Sequence, residues 1–399
     1  MFAARWLALS LLLQALPAGP IETAHGTVTI AGEVTATVGP RDEEAYFNYT
    51  DYEHNALRLF RVSLSGMWRP TARLAVLTEF RSEDIEQPIA YALYVRLRPW
   101  VNRPFAIQAG RIPPVFGTFS RRSYSADNAL IGVPLAYQYL TSLRPDAVPA
   151  SADDLLLMRA RGWRATYPVG NKVPGPGVPL VTAYRWDTGV EGSYAGERFD
   201  VAAAVTAGTL SNPRLHDDND GRQWSARAAW KPAAGAVFGL SAARGAFLDR
   251  AIVDAYEPVL GPRAYDQSAV GVDGEYSRGY WIVRGEAIHS RWTLPKINRP
   301  YIEHPVSATA TYVETRYRIG PRFFVAGRGE RLSFSRLTGS RFFPTQPTPW
   351  EAPVTRVEGG GGLYLQRNLT LRAILQHDWR DGGRVRERTY VSGQLSYWF

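Results

Sequence analysis

The chain has 399 residues and no cysteine. That excludes a disulfide framework, a catalytic thiol and any cysteine-ligated metal. Lysine is nearly missing as well: Lys172, Lys231 and Lys296 stand against 43 arginines. High genomic G+C content explains part of that bias without any function. The six histidines are scattered, with no metal spacing. No GxSxG or SxxK motif occurs, so the common serine-hydrolase arrangements are excluded. The stretch "EGGGG" at 358–362 has no following Lys-Ser or Lys-Thr, so it is no phosphate cradle, and no other cofactor motif is present. The stretch "HDDNDG" at 216–221 has Arg227 where a calcium loop needs a bidentate glutamate, so it reads as an acidic surface loop. After the first stretch no apolar run is long enough to cross a bilayer as a helix. Nothing points to a nucleic-acid partner, although the net charge is +9.

What remains is an aromatic-rich chain, 12% Phe, Trp and Tyr, that is polar on average. That combination suits a transmembrane β-barrel, whose strands are apolar on one face only. The opening "MFAARWLALSLLLQALPAG" carries Arg5, an apolar run over 6–13, then small residues and prolines. It reads as a secretory signal over 1–24, cleaved near Ala18 or Ala24. A bilayer anchor is the alternative, and the run is short for one. The barrel is expected to occupy 25–399. The final "YVSGQLSYWF" alternates with period two up to Phe399, as a strand would.

Between these ends, short and long connections alternate. Short turns fall at Arg69, Arg98, Ala195, Pro232, Ser277, Ile319 and Gln366. Long polar stretches fall at 39–55, 82–88, 113–179, 211–221, 249–263, 293–303, 337–353 and 380–386. Outer-membrane barrels have this asymmetry, with short periplasmic turns and long outer loops. The rhythm predicts an all-β, antiparallel barrel of about 16 strands. If "RARGWRATYPV" from Arg159 forms half of an extra hairpin, the count becomes about 18.

Strand faces predict a wet lumen. In the strand from Leu369, Leu371, Ala373 and Leu375 oppose Arg372, Gln376 and Asp378. In the strand from Ile89, Ile89, Tyr91, Leu93, Val95 and Leu97 oppose Tyr94, Arg96 and Arg98. A soluble sandwich alternates too, but does not explain polar residues on the enclosed face of nearly every strand. The inward basic set is Arg61, Arg73, Arg81, Arg96, Arg98, Arg185, Arg227, Arg284, Arg316, Arg318, Arg328, Arg356 and Arg372. The inward acids are Glu33, Glu79, Asp187, Glu191, Asp200, Asp273, Glu275, Glu286, Glu314, Glu330 and Glu358. These sets nearly balance, which fits either a salt-bridged wall or an arginine track for anions.

The stretch "IQAGRIPPVFGTFSRRSYSADNALIGVPLAYQYLTSLR" at 107–144 is too apolar for a loop in water. It is expected to fold back into the lumen and narrow it, with Arg111, Arg121, Arg122 and Arg144 at the constriction. The alternative is an outer-surface loop with its own small core. "AGRIPPVFGTFSRR" resembles the strand-to-loop passage of the phosphate-selective porin O/P family, on Gly110, Arg111, Pro114, Phe116 and Gly117, with Val115 inserted. The resemblance covers about forty residues plus the barrel pattern and Phe399. It implies a trimeric channel in the outer membrane of a Gram-negative bacterium. It also implies that Phe399 serves as the signal read by the barrel-assembly machinery. That family's phosphate site relies on lysines and a dense arginine ladder, and this chain has almost no lysine, so phosphate selectivity is not implied.

The expected function is a passive porin for small anionic or neutral solutes, set among outer-membrane lipid and lipopolysaccharide. A modest anion preference is expected, carried by Arg121 and Arg122. A closed barrel acting as receptor, adhesin or scaffold is the second reading. An outer-membrane lipase is the third, resting only on Ser290 beside His289.

Overall fold

The structure, a computed structural model, describes residues 17, 19–42, 45–49, 54–183, 185–216, 221–256, 264–340 and 346–399. Sixteen antiparallel strands form a closed ring. In chain order they are β1 (Val28–Val38), β2 (Phe60–Trp68), β3 (Leu74–Glu83), β4 (Ile89–Leu97), β5 (Phe105–Ile112), β6 (Asp187–Ala195), β7 (Phe199–Thr206) and β8 (Gln223–Ala233). They continue as β9 (Ala236–Ala246), β10 (Asp266–Arg278), β11 (Trp281–Trp292), β12 (Val306–Arg318), β13 (Phe323–Phe334), β14 (Val354–Gln366), β15 (Leu369–Arg380) and β16 (Glu387–Trp398). Each pairs with its neighbours in the chain, and β1 pairs with β16 to close the ring.

The closure depends on one small residue. Gly32 of β1 and Phe399 exchange both backbone hydrogen bonds, at 3.0 and 2.9 Å. The Phe399 ring lies over Gly32, where an added Cβ would stand 2.6 Å from the ring. A three-residue strand, Ile21–Thr23, adds to the edge of β1 at Val28, Thr29 and Ile30, beyond the end of β16. Most of the leader read at 1–24, and the centre of the acidic stretch at 216–221, lie outside the described residues.

Alternation holds nearly everywhere. Leu64, Leu240, Val272 and Leu375 are exposed on the outside, whereas Glu286, Arg328 and Glu358 are buried on the inside. An outward arginine or lysine at the midplane would cost about 2–4 kcal/mol. Rings crowd the short-turn end: Trp281 and Tyr317 are directly paired, with centroids 4.5 Å apart. Such a pair adds about 0.5–1.5 kcal/mol beyond its area.

Tyr91 departs from the expected outward face. The β3–β4 register jumps from Glu79↔Ala92 to Phe80↔Ala90, which leaves Tyr91 as a bulge residue. A bulge re-aims one side chain. Tyr91 is turned inward and buried, its hydroxyl donating to the Ala183 carbonyl at 2.8 Å and its ring 3.5 Å from the Arg81 guanidinium.

The stretch from Arg159 adds no stave. Ala152–Leu157 is a helix opened by a capping box, in which Ser151 and Asp154 bond each other's backbone N–H. Val169–Gly170 pairs only with Ala147–Val148, a two-residue ladder inside the loop. The ring therefore stays at sixteen.

The lumen is not wet throughout. Toward the long-loop end, inward wall positions are Ala243, Ala269, Ile288, Ala308, Ala310, Leu332 and Ile374, and they share one core with Phe116, Leu130, Leu135, Tyr137 and Leu155 of the long loop. Full burial of such a side chain contributes about 1.5–3 kcal/mol. The part of the long loop from Phe116 to Tyr137 thus lies inside the barrel, where the apolar content of 107–144 predicts it.

Candidate functional site: a lumen latched by carboxylates

Wall carboxylates hold the inward loop from around the ring. On β11, Glu286 accepts the Tyr137 hydroxyl at 2.7 Å and the Thr118 N–H at 3.0 Å. On β1, Glu33 accepts the N–H groups of Ser125 and Ala126 at 3.1 and 3.2 Å. On β3, Glu79 accepts the Tyr124 hydroxyl. On β13 and β14, Glu330 accepts Leu135 N–H at 2.6 Å and Glu358 accepts Gly132 N–H at 2.8 Å. Buried backbone donors need partners, and these carboxylates supply them where no strand or helix does. Gly117 is required here: its φ is +60°, and a Cβ would collide with Glu286 and the Tyr137 hydroxyl.

The loop is held at its outer end too. Glu351, fully buried, accepts Ser142 N–H at 2.9 Å and Ala352 N–H at 2.7 Å, and burial pushes its carboxyl up. The first outer loop also turns inward. Arg356 donates to the Phe47 carbonyl at 2.8 Å, and Gln376 to Asn48 at 2.9 Å.

The four arginines expected at one constriction are not gathered there. Arg121 and Arg122 do stand on the loop inside the barrel, with side chains 41% and 33% exposed. Each meets a wall carboxylate, Arg121 with Glu191 at 3.4 Å and Arg122 with Glu275 at 2.5 Å. Arg111 lies opposite outward-facing Leu93, and its guanidinium is bound to the carbonyls of Ala90 and Trp186. Arg144 is buried, paired with Asp146 and donating to the carbonyls of Ala165 and Val173.

The wall arginines are mostly engaged. Arg328 reaches Glu314, Glu330 and Glu358 at 3.2, 2.8 and 2.7 Å, and donates to the Gly132 carbonyl. Arg372 binds Gln394, Ser396 and the Ser125 carbonyl. Arg284 donates to the Asp127 carbonyl at 3.0 Å and lies 3.6 Å from Glu275. Arg61 pairs with Glu83. Near the short-turn end the picture changes. Arg96 donates to the Tyr94 hydroxyl at 3.3 Å, Arg98 is exposed at the turn, and Arg316 is half-buried with its Nε unpartnered among the described residues.

The free space runs along the inner face of β1–β4. One cavity of about 280 Å³ is bounded by Thr29, Met67, Leu77, Tyr94 and Trp186. A neighbour of about 200 Å³ is bounded by Glu33, Ser63, Asp127 and Trp398, and the two share Ala31, Ser65, Glu79 and Tyr124. Beyond Glu33 a space of about 40 Å³ lies between Thr35, Thr37, Arg61 and Gln394 of the wall and Ser123, Ser125 and Asn128 of the loop. These spaces were not legible from sequence, because the residues around them come from separate strands and the loop and form no motif. Among the described residues no cluster could hold a metal ion.

No family model matches the chain, and no curated protein matches it. Solved structures do. OmpT, an outer membrane protein of Vibrio cholerae folded in vitro, in its trimer form, is 11% identical, with 94% of this chain and 99% of that one covered and a TM-score of 0.54. OmpF of Salmonella typhi in complex with daunomycin is 9% identical, over 93% and 97%, with a TM-score of 0.54. The outer membrane channel DcaP of Acinetobacter baumannii is 10% identical, over 96% and 100%, with a TM-score of 0.52. The chain therefore folds as a Gram-negative outer-membrane barrel of the porin type.

Proposed function

We propose that the chain is a porin-type diffusion channel, not an enzyme, for small hydrophilic solutes that are anionic or neutral. One observation carries this reading: a long loop is pinned inside a sixteen-strand barrel and leaves open space against the inner face of β1–β4. The modest anion preference rests mainly on the arginines of the short-turn mouth, because Arg121 and Arg122 each meet a wall carboxylate. Phosphate selectivity is not part of the proposal, because Arg328, Arg356 and Arg372 are held by carboxylates, amides and backbone carbonyls. Phe399 is proposed as the assembly signal, its ring and backbone being tied to Gly32.

A homotrimer fits the outer face of β13–β14. Gly327 and Gly359 are directly paired there, and a Cβ on Gly329 or Gly359 would meet nothing within 4 Å. The chain itself does not require glycine at those two positions. Close approach of another subunit would favour glycine there.

One observation favours a closed receptor, adhesin or scaffold instead: the apolar core runs continuously under the outer loops. Planar-bilayer recording separates the two. Small discrete conductance steps are expected, and replacing 130–139 with a short Gly/Ser linker should raise them several-fold. A folded, heat-modifiable barrel with no steps in either form would establish the closed reading.

A further inference from the structure

The two larger spaces against β1–β4, of about 280 and 200 Å³, meet at Ala31, Ser65, Glu79 and Tyr124. Together they reach the roughly 300–1,000 Å³ of small-molecule sites. The register stacks three inward rows across these strands. Thr29, Met67, Leu77 and Tyr94 form the row nearest the short-turn end. Ala31, Ser65, Glu79 and Ala92 form the next, whose small residues leave a recess. Glu33, Ser63 and Arg81 form the third. Successive rows are two residues apart, about 7 Å. The loop adds Tyr124 and Asp127, and Trp186 borders the larger space.

The polar groups of the recess define what fits it. Trp186 is 7% exposed and Ser63 5%, and neither the indole N–H nor the Ser63 hydroxyl has a hydrogen-bond partner among the described residues. An indole N–H only donates, so an occupant must offer it an acceptor. The carboxylates of Glu33, Glu79 and Asp127 only accept, so the same occupant must also donate. Each ionised carboxylate has about four acceptor sites, and the contacts already made by Glu33 and Glu79 use two on each. An ammonium offers donors alone, and an ionised carboxylate acceptors alone. A hydroxyl offers both. Three carboxylates also repel an anion, with Arg81 pairing only Glu79, at 3.0 Å.

The rest of the recess is aromatic and apolar. Tyr94 and Trp186 stand with ring centroids 6.4 Å apart, and Tyr124, Met67 and Leu77 complete this side. A sugar ring carries hydroxyls on its rim and C–H bonds on its faces. Those C–H bonds pack against the electron-rich faces of aromatic rings.

We propose that the recess binds a neutral pyranose sugar in the lumen. Its C–H face lies against Met67, Tyr94 and Trp186. Its hydroxyls donate to Glu33, Glu79 and Asp127 and accept from Trp186 and Ser63. The solute's access to the lumen rests on the channel reading above; the chemistry of the recess does not.

The test uses the full-length barrel in micelles of a sugar-free amine-oxide detergent, titrated with three versions of one ring: glucose, glucuronate and glucosamine. Saturation-transfer NMR reads the affinities. Glucose is expected to bind at least about tenfold more tightly than either charged ring. Trp186→Phe keeps the ring and removes the N–H, and should weaken glucose about three- to tenfold. Ala31→Leu should abolish binding by filling the recess, with folding of both variants checked by heat-modifiable migration. Absent glucose binding, equal binding of the three rings, or unchanged glucose binding in both variants would overturn the proposal. So would glucosamine binding most tightly, by assigning the recess to a cation. Planar-bilayer recording of the same preparation keeps the two readings apart. Conductance steps without glucose binding would overturn the sugar site and leave the channel. Glucose binding lost in Ala31→Leu, from a barrel that shows no steps, would support the site and overturn the channel.

Discussion

Asp42 shows how a single residue outside the membrane-spanning strands couples the outer loops to pH. Its carboxylate accepts the N–H groups of Phe47 and Asn48 at 2.6 and 3.1 Å and the hydroxyl of Tyr390. Burial pushes its pKa up from 3.8 to about 6, although those hydrogen bonds pull it down and nearby Asp378 adds to the rise. The folded loop therefore binds the proton more tightly than the unfolded chain does. Its packing is most stable below about pH 4 and loses that stability as pH rises through about 6. Limited proteolysis at pH 5 and pH 7.5 is expected to cut the first outer loop faster at the higher pH. Asp42→Asn should remove the difference. Equal cutting of the wild type at both values would refute the assignment.

At the scale of elements, the inward loop is held by side chains rather than by strands or long helices, so its position should yield to single substitutions. Glu286→Ala removes the partners of Tyr137 and Thr118 together. Each buried donor left without a partner costs about 1–3 kcal/mol. The expected result is a folded barrel with larger and noisier conductance; unchanged traces would mean that the other latches suffice. The staves themselves were legible, because period-two alternation and the spacing of turns follow from local rules. The inward loop was legible from its excess of apolar residues. Its latches were not, because Gly132 and Glu358 stand 226 residues apart and no local pattern joins them. Arg111 was misplaced although the alternation is regular: the register runs unbroken through Gly110, Gln108 and Ile112 are buried, and Arg111 between them falls on the outer face. Tyr91 was misplaced because a bulge leaves no mark on the sequence.

For the whole molecule, charge is arranged by depth. Deep in the barrel nearly every arginine meets a carboxylate, so the interior contributes little net field. The loop pair, Arg121 and Arg122, is neutralised by Glu191 and Glu275, which lowers the role expected of it from sequence alone. At the short-turn mouth, Arg96 donates to a tyrosine hydroxyl and Arg318 to the carbonyls of Gly320 and Pro321, none of which cancels charge. Arg73, Arg98 and Arg316 share that mouth. Charges on a wide wall are screened beyond about 8 Å at physiological salt, so the mouth acts strongly only when salt is low. A modest anion preference is therefore expected, growing as salt is lowered. Reversal potentials in a KCl gradient give the measurement. Arg96→Gln/Arg98→Gln/Arg316→Gln/Arg318→Gln should abolish most of the preference. Arg121→Ala/Arg122→Ala should shift the potential toward cations as well, because it leaves Glu191 without its loop partner and Glu275 with Arg284 alone. A cation-preferring wild type, or a mouth variant with an unaltered potential at low salt, would show that the field at the mouth does not govern which ions enter.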